Sequence, residues 1–508
     1  MELNHLLMLL NPEVLMWMAV GSLIGVILGA LPGMGPETGI ALFLPLTYGM
    51  EPLVALSCLA SIYVSGVFGG NFTAILMNTP GTPDSLFLCW DGYPMTKRGL
   101  GSKAITVSTL SAFVGGVVGA TALLFLSSIV SKFAVSLGPL EMFLITMIGI
   151  SVIVSLTQKS MLKGFISAVL GFAVSCIGMD NFSGNQRFTF GLLQLLDGLP
   201  LLPVVLGMFA ISQMLILVVD GRERITEDNV DVTKLSPESK KLNKITMNDL
   251  RQIAGPAVRA ALIGTFIGIV PGAGGTTASG LSYQMEKSMD KHPEEYGDGS
   301  IRGIASISSA INGVVGGSLI PMITLGIPGC STAALFLGAL MIHGLAPGER
   351  LFTVYKDVIY PFMVAILLSQ LFLLFFGLLC GRYFSKLTKV TNSVLIPCIL
   401  LFTIVGAYTG RGMLFDVILM LVFGLIGYFW EKMDIPCSPF VLAFVLSSNA
   451  ESRLRRAIVL LESKFFKTMM RPVPLILLAI NLFLIIWPII SEIRANRRKR
   501  TAAGTGTE

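Results

Sequence analysis

The sequence predicts an all-α polytopic membrane protein, with roughly ten to fourteen membrane segments in two repeated halves that each carry Gly/Pro-broken hairpin helices. Three observations predict this. Hydrophobic residues make up 53% of the 508 residues and charged residues only 13%, about half the usual globular share. Apolar runs cover nearly the whole length, and mean hydropathy is +0.78. Glycine–proline interruptions recur in the same order in both halves. A soluble enzyme, a nucleic-acid binder or a disordered chain of this size would need far more charge. The net charge of +6 fits basic cytoplasmic loops better than a nucleic-acid surface.

The first apolar run, Val14 to Leu31, reads as a retained spanning helix. A secretory signal starts with a positive region, and no Lys or Arg precedes Lys97. Further spans of about 20 residues are expected at Gly39–Ile62, Ala104–Val130, Pro139–Leu156, Leu162–Met179, Leu199–Val219, Ile253–Val270, Val354–Cys380, Asn392–Tyr408, Leu414–Trp430 and Pro472–Ile490. The short run Pro436–Leu446 reads as re-entrant, and interrupted segments are expected around residues 65–90 and 304–345. The organisation is a first membrane half (1–219), a polar linker (220–251), a second half with C-terminal spans (252–490) and a basic disordered tail (491–508). Glu286 to Arg302 reads as a surface loop. The basic clusters conflict over orientation, which the sequence leaves open.

The seven cysteines lie far apart without a CxxC and read as small core residues. The three histidines are not spaced as metal ligands. There is no P-loop for ATP, so no cofactor is expected beyond Na+ or H+ as a coupling ion. No constellation such as HExxH occurs, and the chain does not read as an enzyme.

The internal repeat carries the functional reading. Gly25, Gly29, Pro32, Gly33 and Gly35 align at one offset with Gly264, Gly268, Pro271, Gly272 and Gly274. The block from Gly69 aligns with that from Gly316, placing Pro80 on Pro328 and Gly81 on Gly329. Recurrence of both blocks in order points to duplication. Gly25 and Gly29 form a small-xxx-small packing face. That does not explain the P-G-x-G that follows, nor the polar residues beyond it. Non-helical backbone at membrane depth is tolerated where protein buries it or a watery cavity meets it. Paired Gly/Pro interruptions in two halves point to a transporter's binding site. The candidate substrate- or ion-binding residues are Gly33, Gly35, Thr38, Asn71, Thr73, Asn78, Thr79, Pro80, Gly81 and Thr82 in the first half. In the second they are Gly272, Gly274, Gly275, Thr276, Thr277, Asn312, Gly329, Ser331 and Thr332.

No Lys or Arg occurs from Gly25 to Ser85, from Ala260 to Glu286, or from Gly303 to Glu349. An anionic substrate held there would meet backbone N–H groups, hydroxyls and amides at broken-helix N-termini. Broken-helix C-termini and Asn/Thr oxygens suit Na+ equally. Among acids in the apolar sequence, Glu37 is open between meeting a cation and facing a cavity mouth, and Asp84 between capping and coupling. Asp91 reads as a turn or cap residue, and Glu141 as a helix N-terminal residue.

These residues resemble the large membrane subunit of tripartite tricarboxylate transporters. The resemblance covers nearly the whole chain, through GALPGMG, GGNFTAILMNTPGTP, DGYPMTKRG, LGPLEMFLITMIG, FTFGLLQLLDGLPLLPVVLGMFAISQ, GIVPGAG, ITLGIPG and HGLAPG, and near the end Glu451 to Arg456 and Arg471-Pro472. The chain departs from the family's pattern at Ser308, Ser309, Ile311, Asn312, Asn71 and Phe87. The resemblance implies a bacterial inner-membrane permease that takes up citrate-like and other organic carboxylates, driven by an ion gradient, usually Na+. It implies a small membrane subunit and a periplasmic solute-binding protein as partners. The alternatives are a membrane channel and a non-transporting assembly subunit.

Overall fold

The structure is a computed structural model that describes residues 8–31, 34–135, 137–155, 161–180, 182–219, 243, 245–271, 273–387, 392–462 and 465–484. Pro32, Gly33, Gly272, most of the polar linker and the C-terminal tail lie outside the described residues. The chain divides into two compact units, Met1–Lys132 with Pro200–Tyr428, and Phe133–Leu199 with Phe429–Glu508. These units cut across the two sequence halves.

The described residues form an almost wholly helical protein. Seven of their helices are long and apolar enough to cross a membrane, and shorter apolar helices include Pro139–Ile148, Leu162–Ser175, Leu201–Ile216, Ser331–Ile342 and Pro472–Leu484.

In the first unit, α1 (Pro12–Gly29) is capped by Asn11, whose side chain accepts the Glu13 N–H. The expected span Gly39–Ile62 is instead three elements. These are α2 (Pro36–Phe43), a 3₁₀ turn (Leu44–Gly49) and α3 (Pro52–Met77). Proline explains the division: Pro45 and Pro52 each stand at a helix start, where the missing N–H costs nothing. Glu51 before Pro52 is held extended, with ψ 137°. Next come α4 (Leu88–Lys97) and α5 (Gly101–Val135). After Pro200, α8 (Leu201–Val205) passes through a π-helical stretch (Leu206–Ile211) into α9 (Ser212–Val219).

The second half of the sequence adds α10 (Met247–Ile269), whose start is closed by a Thr246–Asp249 capping box. α11 (Gly274–Met289), α12 (Ile301–Leu325) and α13 (Ser331–Ile342) follow. Beyond them lie α14 (Glu349–Thr353), α15 (Lys356–Leu387), α16 (Asn392–Arg411) and α17 (Leu414–Lys432).

Each of the interrupted segments expected around residues 65–90 and 304–345 contains a break, but not at its glycine pair. The Gly69-Gly70 and Gly316-Gly317 pairs do not break their helices; α3 and α12 run through them. The breaks come later, after Met77 and Leu325, where the chain turns left-handed. α3 and α12 are buried over their whole apolar length, whereas the other long helices are half buried or less. A helix apolar all round must be enclosed, so these two are the centre of the unit.

The second unit contains α6 (Pro139–Ser155) and α7 (Met161–Ser175). A two-residue antiparallel pair follows, β1 (Gly178–Met179) with β2 (Gln186–Arg187). The run from Pro436 continues beyond Leu446: α18 (Cys437–Leu461) spans 25 residues. Its charged second half made the run look short, and Glu451 and Arg455 there are paired. Arg187 meets Glu451 at 2.9 Å, and Arg455 meets Glu451 at 2.8 Å and Asp180 at 3.0 Å. Arg453 donates to Thr146 Oγ1 at 2.8 Å. α19 (Phe465–Met469) and the helix Pro472–Leu484 complete the unit.

Candidate functional site

Close packing of glycine makes the frame of the site. α1 packs on α3 so tightly that a Cβ at Gly29 would lie 2.0 Å from the Gly66 carbonyl oxygen, and one at Gly25 2.7 Å from that of Ile62. α10 packs on α12 in the same way, Gly264 against Ala310 and Gly268 against Val314. The small-xxx-small reading of these glycines therefore holds.

The ends of α3 and α12 have one geometry. Asn78 and Gly326 are both left-handed caps, with φ 53° and 70°. Thr79 N–H bonds the Thr73 carbonyl at 3.3 Å, and Ile327 N–H bonds that of Pro321 at 3.2 Å. Each bond reaches back six residues and closes the helix end around its left-handed residue. Gly81 N–H then returns to the Gly70 carbonyl at 3.3 Å, as Gly329 N–H does to that of Ser318 at 3.3 Å. The bonds match Gly70 with Ser318, not with Gly317. The alignment read from the sequence is thus one residue out at the glycine pairs, because the identical Gly-Gly letters attracted it. The spacing set by Pro80 and Pro328 runs through the whole hairpin.

With that register, each loop after the long helix reaches the broken start of the other segment. Thr332 Oγ1, in the first turn of α13, donates to Glu37 Oε1 at 2.8 Å. Thr276 Oγ1, in the first turn of α11, donates to Asp84 Oδ1 at 2.8 Å. Glu37 and Thr276 are aligned positions, as are Asp84 and Thr332. The two bridges are the same contact made twice, with acid and hydroxyl exchanged. Gly275 leaves room for this: a Cβ there would lie 2.2 Å from Asp84 Oδ2. Asp84 therefore meets the start of α11, not only its own turn, and Glu37 meets a hydroxyl.

The other candidates fall into groups. Gly35 is the extended residue before α2, and Thr38 is buried on α2. Thr73 Oγ1 donates to the Gly70 carbonyl at 3.3 Å. Asn78, Thr79 and Thr277 are exposed, Pro80, Gly274 and Ser331 half-buried, and Gly81, Thr82 and Gly329 buried. Asn71 and Asn312 are buried away from the loops, within α3 and α12. Asn71 Nδ2 donates to Ser108 Oγ at 3.1 Å, and Ser108 meets Ser308 at 2.8 Å. Asn312 Nδ2 donates to the Ser308 carbonyl at 3.2 Å. The amide oxygens of both find no partner among the described residues.

Tyr63 was not singled out in the sequence. Its hydroxyl, buried on α3, lies 3.0 Å from Ser318 Oγ and 3.1 Å from Cys330 Sγ. A lone Tyr in an apolar run carries no signal of this. Cys330, expected as a core residue, is half-buried beside the second loop. Asp91 is neither a local turn nor a cap of its own helix. Its Oδ1 accepts the N–H groups of Gly297, Gly299 and Ser300 at 2.8, 3.0 and 2.9 Å. It thereby fixes the entrance to α12 and the surface loop before it. Glu141 stands in the first turn of α6, as expected. Among the described residues no group of three or more His, Cys, Asp or Glu could hold a metal ion.

Seven long apolar helices among the described residues, two of them enclosed and ending in polar turns, make this a multi-pass membrane protein. The chain belongs to the tripartite tricarboxylate transporter TctA family, which it matches over residues 15–442. It is thus a subunit of a tricarboxylate transporter. It is 32% identical over 491 residues, 96% of each chain, to the "uncharacterized 52.8 kDa protein in TAR-I ttuC' 3'region" of Agrobacterium vitis. A second protein of that organism, from the TAR-II ttuC' 3'region, is 31% identical over 234 residues, 46% of this chain and 97% of its own. No solved structure matches.

Proposed function

We propose that the chain is the permease subunit of a tripartite secondary transporter of the bacterial inner membrane. It takes up citrate-like organic carboxylates, driven by a Na+ or H+ gradient. A small membrane subunit and a periplasmic solute-binding protein that delivers the substrate are its partners. The observation that carries this reading is the pair of polar loops after α3 and α12, each brought to the broken start of the other segment in sequence free of Lys and Arg. The first turns of α11 and α13 offer hydroxyls, and N–H groups whose dipoles favour a carboxylate. Glu37 and Asp84 lie at the same places, so a carboxylate arriving there needs accompanying cations. This supports ion coupling.

The test is reconstitution of the full chain with its small membrane subunit in liposomes. Labelled citrate is supplied through the binding protein, with and without a Na+ or pH gradient. Saturable, gradient-dependent uptake is expected. Non-saturating conductance would establish the channel alternative, and no flux of any carboxylate under any gradient would leave an assembly role.

A further inference from the structure

We propose that the Glu37–Thr332 and Asp84–Thr276 bridges form an autoinhibitory latch, in which two built-in carboxylates stand where the carboxylates of an incoming substrate bind. The inference rests on the carboxylate-uptake reading of the same site.

Three observations lead to it. First, the bridges are the only described hydrogen bonds between these loops and these helix starts that join positions exchanged by the repeat, and both are carboxylate–hydroxyl pairs at 2.8 Å. Had they served only to join the segments, two hydroxyls or two amides would suffice. Second, the first segment supplies both acids and the second both hydroxyls, so the exchange of acid and threonine leaves one acid in each bridge. A symmetric pair with an acid on both sides would repel, and one with threonine on both sides would hold no anion. Third, the receiving ends are the first turns of α11 and α13, where N–H groups lack helical partners. Asp84 reaches so far in that a Cβ at position 275 would lie 2.2 Å from its Oδ2.

In the resting protein, then, the hydroxyls that attract an anion are already occupied. A substrate carboxylate replaces Glu37 on Thr332 and Asp84 on Thr276, and each exchange frees a loop from the opposite segment. The latch keeps the loops closed until a molecule carrying two suitably spaced carboxylates arrives. It thereby favours di- and tricarboxylates over monocarboxylates, which release one bridge only.

The experiment uses the purified full chain with its small membrane subunit in nanodiscs and has two readouts. Cys330 lies two residues before Thr332 and is half-buried, so its alkylation by N-ethylmaleimide, followed by peptide mapping, reports opening without substrate. Glu37→Ala should speed that reaction about tenfold, as expected for loss of one charged hydrogen bond, with Glu37→Gln as the milder variant should the first fail to fold. Equal rates in wild type and both variants overturn the latch. The second readout is citrate binding. Glu37→Ala and Asp84→Ala remove a competitor and should tighten it, whereas Thr332→Val and Thr276→Val remove the receiving hydroxyl and should weaken it. Partners of one bridge moving affinity in opposite directions support the competition, and partners moving it in the same direction overturn it. Faster Cys330 labelling in a protein to which neither citrate nor succinate binds supports the latch and overturns the proposed substrate class, so the two failures are told apart.

Discussion

The α1–α2–α3 segment and the α10–α11–α12 segment share several backbone features but differ in chemistry. Both pack a glycine-lined helix on an enclosed one, both end the enclosed helix in a left-handed cap, and both return the chain through the same N–H bond. Yet Glu37 stands against Thr276, Asp84 against Thr332, Tyr63 against Ile311, and Asn78 against Gly326. The backbone bonds tolerate no change of shape, so they are alike. The side chains at the breaks face the opposite segment and not their own, so only the pair across the molecule must match. The second segment also carries a loop, residues 290–300, that the first lacks.

The largest effects should come from the shared frame. A methyl group at Gly29 meets a backbone oxygen at 2.0 Å, and one at Gly268 meets its counterpart at 2.7 Å. Backbone inside an enclosed helix cannot yield as a flexible side chain does. Gly29→Ala should therefore cost more than about 3 kcal/mol, the upper end of ordinary overpacking, and Gly268→Ala about 1–3 kcal/mol. Thermal unfolding in detergent measures both. Equal losses from the two would show that the helix pairs are equally tight at these positions, against the two distances, and the comparison would break there.

Much of this frame was legible in the sequence, and the exceptions have physical reasons. Small residues four apart give a packing face, and P-G in apolar sequence marks broken helix. The helix class and the segments that break followed from these. The exact residues at which the helices end did not. Gly69-Gly70 and Gly316-Gly317 look like interruptions, but inside an enclosed helix their missing side chains allow close approach and leave the hydrogen bonds intact. The left turn falls on Asn78, a residue that accepts this conformation less conspicuously than glycine. Of the site, Thr276 and Thr332 were recognised by type and place. Their partners Glu37 and Asp84 remained open, because which acid meets which hydroxyl depends on how residues 192 and 295 positions apart are brought together. The same holds for Tyr63 and for Asp91.

An intermediate effect sharpens the comparison at the caps. Asn78 and Gly326 take the same left-handed conformation, which costs an ordinary residue roughly 1–2 kcal/mol. Gly326→Ala should lose about that much, whereas Asn78→Gly should lose almost nothing in stability. If Asn78 serves only as the cap, citrate uptake by the Asn78→Gly protein will match the wild type in the liposome assay. A loss of uptake with unchanged stability would place the Asn78 side chain in the binding site and make the two caps unlike in function.

The smallest effect concerns the loop that only the second segment has. Asp290 binds the Arg302 guanidinium and accepts the Tyr296 hydroxyl at 2.7 Å and the His292 N–H at 3.2 Å. Burial works to raise its pKa, but these three partners prevail and take it from 3.8 down to about 2. Because the folded value lies below the unfolded one, the loop gains stability above about pH 4 and loses it as pH falls towards 2. Hydrogen exchange at residues 291–300 should accelerate over that interval in the wild type. In Asp290→Asn it should be fast already at neutral pH and change little on acidification. Exchange in α1 and α3, which carry no such loop, should not follow the same curve. If it did, acid would be loosening the common frame, and the loop would not be a separate addition to one segment.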